Sequence, residues 1–253
     1  MDLSKPLADR VAVITGAAGG IGRAAALELA RNGAHLVLAD LADAPTSATL
    51  DAVEQLGAKA VVQHTDVTSP SQQQALVDRC LETFGRLDVM FNNAGVADGG
   101  PLLEWTQERY ERVVAVNQHG VFYGIQAAAR VMQPAGRGVI VNTGSVYGRL
   151  ATRYAIGYQA SKAAVEVMTK VAALELAPYG IRVVNVAPGV VDTPMVDGYR
   201  RAGIIDAMAA KQMRGALVRP EDIAKVVAFV ASDAGACVNG TTVFADDGFS
   251  AFK

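Results

Sequence analysis

Seven short runs rich in Val, Ile and Leu recur along the 253-residue chain, separated by longer stretches with helical periodicity. They fall at 11–15, 36–40, 60–64, 89–92, 139–143, 183–187 and 242–244, and helical patterns such as 22–32, 71–84 and 165–177 lie between them. A strand with one face in water alternates apolar and polar residues, whereas runs this continuous predict strands covered on both faces. Strand–helix–strand alternation predicts right-handed crossovers and therefore an α/β fold. The expected form is a single Rossmann-like, doubly wound domain with a parallel, seven-stranded sheet and helices on both faces. Asn32-Gly33 and Tyr179-Gly180 stand where helices must end, with glycine supplying a left-handed cap. No Pro/Ser/Gly linker, low-complexity tract or repeat divides the chain, so one domain over 1–253 is expected. Residues 193–219 break the alternation. They are rich in Gly, Met and Arg, and their place after a strand end suits a substrate lid.

Composition removes several classes of function. A net charge of −2 without any Lys/Arg block is a poor match to nucleic acid, which needs a concentrated basic face. Cys80 and Cys237 are isolated, and His35, His64 and His119 are scattered, so no metal is expected. The opening Met-Asp-Leu-Ser-Lys-Pro-Leu lacks a signal-peptide pattern, and no apolar run approaches the roughly 20 residues that span a bilayer. A cytoplasmic protein with no membrane partner is the expectation.

Gly16, Gly20 and Gly22 directly follow the first strand run and open the first helical pattern, with Ile21 between the last two. Without Cβ atoms they permit a tight turn and close approach of backbone N–H groups to a pyrophosphate. Asp40 ends the second run, close to the offset of about 20 residues at which a carboxylate meets the adenosine ribose hydroxyls. A carboxylate there repels a 2′-phosphate, and neither Leu41 nor Gly19 offers a cation, so NAD is expected over NADP. Asp66-Val67 after the third run suits the adenine edge. Asn93, Ala94 and Gly95 after the fourth leave room for the cofactor's ribose.

Tyr158 and Lys162 are one helical turn apart and share a face, and Ser145 lies just past the fifth run. A free tyrosine has a pKa of about 10, so a neighbouring ammonium and the charge of oxidised nicotinamide are expected to lower it toward the working range of a general base. The Ser145 hydroxyl is placed to hold the substrate oxygen as its charge changes.

Thr15-Gly16-x-x-x-Gly20-Ile21-Gly22, Asn92-Asn93-Ala94-Gly95, Ser145, Tyr158-x-x-x-Lys162 and Pro188-Gly189 together resemble the short-chain dehydrogenase/reductase family, over essentially the whole chain. The resemblance implies that Tyr158 is the acid/base, that Lys162 lowers its pKa and binds the nicotinamide ribose, and that Ser145 positions the substrate. It implies that Asn117, in the polar break Asn117-Gln118-His119-Gly120, is a fourth catalytic residue holding a relay water. Pro188, Gly189, Val190 and Thr193 match the segment that binds the nicotinamide carboxamide. A homotetramer built through long helices around 103–132 and 158–177 is also implied. Two departures stand out: Gly144, which suggests a wider pocket, and Asp246-Asp247-Gly248 in place of Asp-Gly-Gly. The pocket candidates Val96, Gly144, Val146, Gln159, Val190 and Met195 are mostly small or apolar. The expected activity is a NAD-dependent interconversion of a secondary alcohol and its ketone. The alternatives are an NADPH-dependent oxoacyl-thioester reductase and an inactive nucleotide-binding regulator.

Overall fold

The computed structural model describes residues 5–251; the first four residues of the N-terminal segment read above lie outside them. One parallel sheet runs in the order β3-β2-β1-β4-β5-β6-β7. Its strands are β1 (Val11–Thr15), β2 (His35–Asp40), β3 (Ala60–His64), β4 (Val89–Asn92), β5 (Gly138–Thr143), β6 (Ile181–Pro188) and β7 (Thr242–Ala245). Every expected strand is present, with three matched to the residue. The edge strands β3 and β7 are only partly buried, while β1 and β4 are buried throughout.

Two apolar layers cover the sheet. On one face α1 (Gly20–Arg31) and α9 (Pro220–Ala231) pack Leu29, Ile223 and Val227 against Ile14, Leu36 and Phe91. On the other, α3 (Pro70–Phe84), α5 (Gly120–Ala135) and α6 (Ile156–Leu176) pack Leu76, Met132 and Val165 against Val13, Met90 and Ile140. Alternate residues of each central strand feed the two layers, which is why the strands read as unbroken apolar runs. Between β1 and β4 the strand order reverses direction, opening a crevice beyond the carboxyl ends of both.

Helix boundaries differ from expectation for physical reasons. The apolar period at 165–177 marks only the later part of α6, which begins at Ile156, close to the 158–177 implied by the resemblance, because its first turns carry Tyr158, Ser161 and Lys162 toward the strand ends and do not follow that period. The helix expected over 103–132 begins at Gln107, capped by the Thr106 hydroxyl, and α4 (Gln107–Val114) joins α5 through a π-helical turn, Ala115–His119. Among the described residues no helix is long and apolar enough to cross a membrane.

Candidate active site

The glycine segment forms a tight floor at the end of β1. Gly16 and Gly20 have φ of +68° and +52°, and a Cβ on Gly22 would stand 2.0 Å from the Gly16 carbonyl oxygen. No side chain could occupy that last place. Gly19 precedes α1 without a side-chain cap, so the first N–H groups of the helix have no side-chain acceptor at its N-cap. The Thr15 hydroxyl accepts hydrogen bonds from the Asn93 and Ala94 N–H groups at 3.0 and 3.1 Å. Asn93 in turn donates its side-chain amide to the Thr15 carbonyl at 3.0 Å. These bonds staple the end of β4 beside the glycines.

Asp40 ends β2 next to this floor. Its carboxylate accepts the Ala18 N–H at 2.9 Å and the Leu41 N–H at 2.9 Å, which fixes its orientation. Asp66 is turned inward on its own loop, accepting from the N–H and hydroxyl of Thr68 at 2.9 and 2.8 Å. Val67 is buried and packs on Gly120, where an added Cβ would stand 2.9 Å from its Cγ2. The methyl of Thr193 lies 3.2 Å from the Cβ position of Gly20. A dinucleotide fits this cradle: a Cβ-free floor, helix N–H groups and a fixed carboxylate lie in line along the strand ends.

Ser145, Tyr158, Lys162 and Asn117 converge on the adjoining end of the sheet. Ser145 sits at the N-terminus of a short turn, its hydroxyl accepting the Tyr147 N–H at 3.1 Å and lying close enough to Tyr158 to influence its titration. Lys162 is 3% exposed. Its Nζ donates to the Thr143 carbonyl at 2.6 Å and stands 5.7 Å from the Tyr158 ring centroid. A Cβ on Gly95 would lie 3.3 Å from Asn117 Oδ1 and 3.8 Å from Lys162 Nζ, so glycine there keeps the approach to both open.

Asn117 lies inside the π-helical turn and is fully buried. Its side-chain oxygen accepts the Val96 N–H at 2.8 Å, while its Nδ2 donates to the Val96 carbonyl at 2.9 Å and to Ser161 Oγ at 3.2 Å. The amide is thereby consumed in holding the strand-end loop. A π turn displaces the i→i+4 ladder, and such turns recur at functional sites because they free backbone groups.

Burial dominates the titration of both central groups. It pushes the Tyr158 phenol upward, against the Ser145 hydroxyl that pulls it down, with Tyr199 adding a smaller upward push. It pulls the Lys162 ammonium down to about 8. Without the cofactor's charge, desolvation of a phenolate thus outweighs the downward pull of Ser145.

Several pocket candidates are engaged elsewhere. A Cβ on Gly144 would stand 2.5 Å from Asn185 Oδ1, so the missing side chain admits Asn185 of the next strand and does not widen a pocket. Gln159 is spent on the backbone of Thr152, accepting its N–H at 3.1 Å and donating to its carbonyl at 2.8 Å. Val146 and Val190 are core residues of a small cluster with Val196, Met208 and Phe249. Met195 is half exposed, and Val96 is held by its backbone. The Val190 N–H is not open to a ligand either: it donates to Gln212 Oε1 at 3.0 Å. The next N–H, that of Val191, has no protein acceptor among the described hydrogen bonds. Gln212 gave no signal in the sequence. It lies in the irregular segment and is 2% exposed, and its amide donates to the Ala216 carbonyl at 2.6 Å.

Residues 194–217 fold over this end of the sheet as short helices, α7 (Asp197–Arg201) and α8 (Ile205–Ala209), linked by turns. Asp247, the departure noted near the C-terminus, adopts φ +48° and pairs with Arg214 of this segment at 3.0 Å. Asp246 accepts the N–H groups of Gly248 and Ser250 at 3.2 and 2.8 Å. The substitution of aspartate for glycine thus supplies an anchor for the covering segment. A separate cavity of about 260 Å³ between α1 and α9 contains none of Ser145, Tyr158 or Lys162.

Comparison with known proteins agrees with this geometry. The family model described as enoyl-(acyl carrier protein) reductase matches residues 16–250. The chain is 41% identical over 250 residues to cis-4-hydroxycyclohexanecarboxylate dehydrogenase of Sinomonas cyclohexanicum, covering 98% of this chain and 100% of that protein. It is 35% identical over 249 residues to cyclohexanol dehydrogenase of an Acinetobacter species, covering 98% of each. A crystal structure of a short-chain type dehydrogenase/reductase from Mycobacterium marinum superimposes with a TM-score of 0.93 at 33% identity, covering 96% of each chain.

Proposed function

The chain belongs to the short-chain dehydrogenase/reductase family, and from that premise we propose that it is a NAD-dependent dehydrogenase interconverting a secondary ring alcohol and its ketone. Its relatives support an oxidoreductase of secondary alcohols. The observation that carries the finer reading is the convergence of Ser145, Tyr158 and Lys162 at one end of a glycine floor whose other end holds the fixed carboxylate of Asp40. We read the chain as one functional domain with 193–219 as its lid. A cytoplasmic homotetramer, with no nucleic-acid partner, is part of the same proposal.

The residues divide the work. Gly16, Gly20, Ile21 and Gly22 receive the diphosphate on backbone N–H groups, and Asp40 accepts the adenosine ribose hydroxyls. Asp66 and Val67 border the adenine, and Asn93, Ala94 and Gly95 form the wall beside the nicotinamide ribose. Pro188, Gly189 and Thr193 border the nicotinamide, with the Val191 N–H replacing Val190 as the free donor. When bound, oxidised NAD supplies the hydride acceptor and a positive charge. Ser145 Oγ holds the substrate oxygen, and Tyr158 takes its proton during oxidation or returns it during reduction. Lys162 is charged below about pH 8. Standing 5.7 Å from the Tyr158 ring, its ammonium attracts a phenolate. That offsets part of the upward push of burial. Asn117 holds the Val96 loop and, through the π turn, its backbone is placed for a relay water.

Initial rates with cyclohexanol and related ring alcohols, followed by NADH absorbance, test this directly. Turnover with NAD well above that with NADP is expected. A second reading, an NADPH-dependent oxoacyl-thioester reductase, draws only on the acyl carrier protein in the family model's description, and a strong NADPH preference with oxoacyl thioesters would establish it instead.

A further inference from the structure

Tyr147 carries a hydroxyl for which the mechanism above has no use. It is shut off from solvent and has no hydrogen-bond partner. Three other buried side-chain atoms among the described residues share that status, on Gln73, Asn92 and Asn185. Each of those is the oxygen of an amide whose nitrogen is already engaged, with Gly120, Asn142 and Thr242 respectively. Tyr147 makes no side-chain hydrogen bond at all. Buried polar groups are nearly always paired, so an orphan beside a reaction centre calls for a partner from outside the fold, a water or a ligand.

Tyr147 stands beside Ser145. Its backbone N–H donates to Ser145 Oγ at 3.1 Å. Its ring stands edge-on to Phe249, with centroids 5.7 Å apart and planes at 76°. Val146, Val190, Val196 and Met208 pack about it, the last two from the segment that covers the site. Burial, together with Tyr199 and Tyr158 nearby, pushes its pKa up to about 12, so it stays a neutral donor under working conditions. Ser145 and Tyr158 already serve the reacting oxygen.

We propose that Tyr147 donates a hydrogen bond to a second oxygen of the substrate, away from the reacting carbon. The preferred substrates are then secondary ring alcohols carrying a further hydroxyl, carbonyl or carboxylate. Tyr147 acts as a specificity residue, with Val196 and Met208 packed beside it. This rests on the dehydrogenase reading above.

The test compares kcat/KM for cyclohexane-1,4-diol with that for 4-methylcyclohexanol, which has nearly the same shape but no second acceptor. The wild type should favour the diol by about tenfold or more, the scale set by leaving a buried donor unpaired. Tyr147→Phe should reduce the ratio to about the twofold given by two equivalent alcohols, mainly through KM. The variant should melt no lower than wild type, since no protein bond is lost. A wild-type ratio near two, or a ratio unchanged in the variant, overturns the proposal while leaving the dehydrogenase reading in place. A clearly lower melting point also overturns it, by giving the hydroxyl a structural partner. Failure to oxidise either alcohol with NAD or NADP overturns both.

Discussion

Replacing Lys162 with methionine should abolish turnover and yet relieve the fold of a burden that varies with pH. The side chain is buried, and among the described residues its one hydrogen bond goes to the Thr143 carbonyl at 2.6 Å. Burial lowers its pKa from 10.5 to about 8. A base whose folded pKa lies below its unfolded value destabilises the fold while charged. The penalty is complete below about 8, shrinks as pH rises, and is gone above 10.5. It amounts to about 3 kcal/mol at neutral pH and about 1 kcal/mol at about pH 9.5. Loss of the bond to Thr143 costs a further amount that is nearly independent of pH and cancels in the comparison. Urea unfolding of both proteins at about pH 7 and about pH 9.5 should show wild type gaining about 2 kcal/mol on the variant as pH rises. A difference that stays constant, or moves the other way, would refute the claim that this ammonium is held in the fold at a cost.

Three further outcomes follow from the site. Tyr158→Phe should lower kcat by at least about a thousandfold while the NAD dissociation constant changes by less than about threefold, because only the titrating oxygen is lost; residual activity within tenfold of wild type rules out Tyr158 as the acid/base. Asp40→Ala should narrow the ratio of kcat/KM for NAD over NADP by about tenfold or more, since the carboxylate that repels a 2′-phosphate is gone; an unchanged ratio removes its role. Gly22→Ala places a Cβ 2.0 Å from the Gly16 carbonyl oxygen, so the floor must open; NAD affinity measured by fluorescence quenching should fall by more than about tenfold, and retained affinity would disconnect the glycine turn from the cofactor.

The strands were legible because each is buried in a local, contiguous way. Val11–Thr15 and Val89–Asn92 announce themselves by their own residues. Gly16, Gly20 and Gly22 were legible for a related reason: their constraint is the shape of the turn they themselves form. The start of α6 was legible only through the Tyr158-x-x-x-Lys162 motif, since its first turns face the site and carry no apolar period. What a side chain touches across the fold left no local trace. The Asn185 amide fills the space beside Gly144, Gln159 clamps Thr152, and Gln212 occupies the Val190 N–H from twenty-two residues away. Each of these depends on which elements the fold brings together.

The same distinction explains why motif and pKa disagreed. Spacing puts Tyr158 and Lys162 on one face of a helix, and from spacing alone the ammonium lowers the phenol. Burial acts on both groups at once. It raises the phenol and lowers the ammonium, which brings their pKa values apart in the protein while Lys162, at about 8, remains mostly charged at neutral pH. A phenol lowered by the protein alone would be a base before any cofactor arrived. Here the proton-accepting form is disfavoured until further positive charge enters the site, so ultraviolet titration of the free protein should show no Tyr158 phenolate below about pH 10, and saturation with NAD should bring one into view at lower pH. A Tyr158 phenolate titrating below about pH 9 in the free protein, identified by its loss in Tyr158→Phe, would show that desolvation is not the dominant influence on this residue.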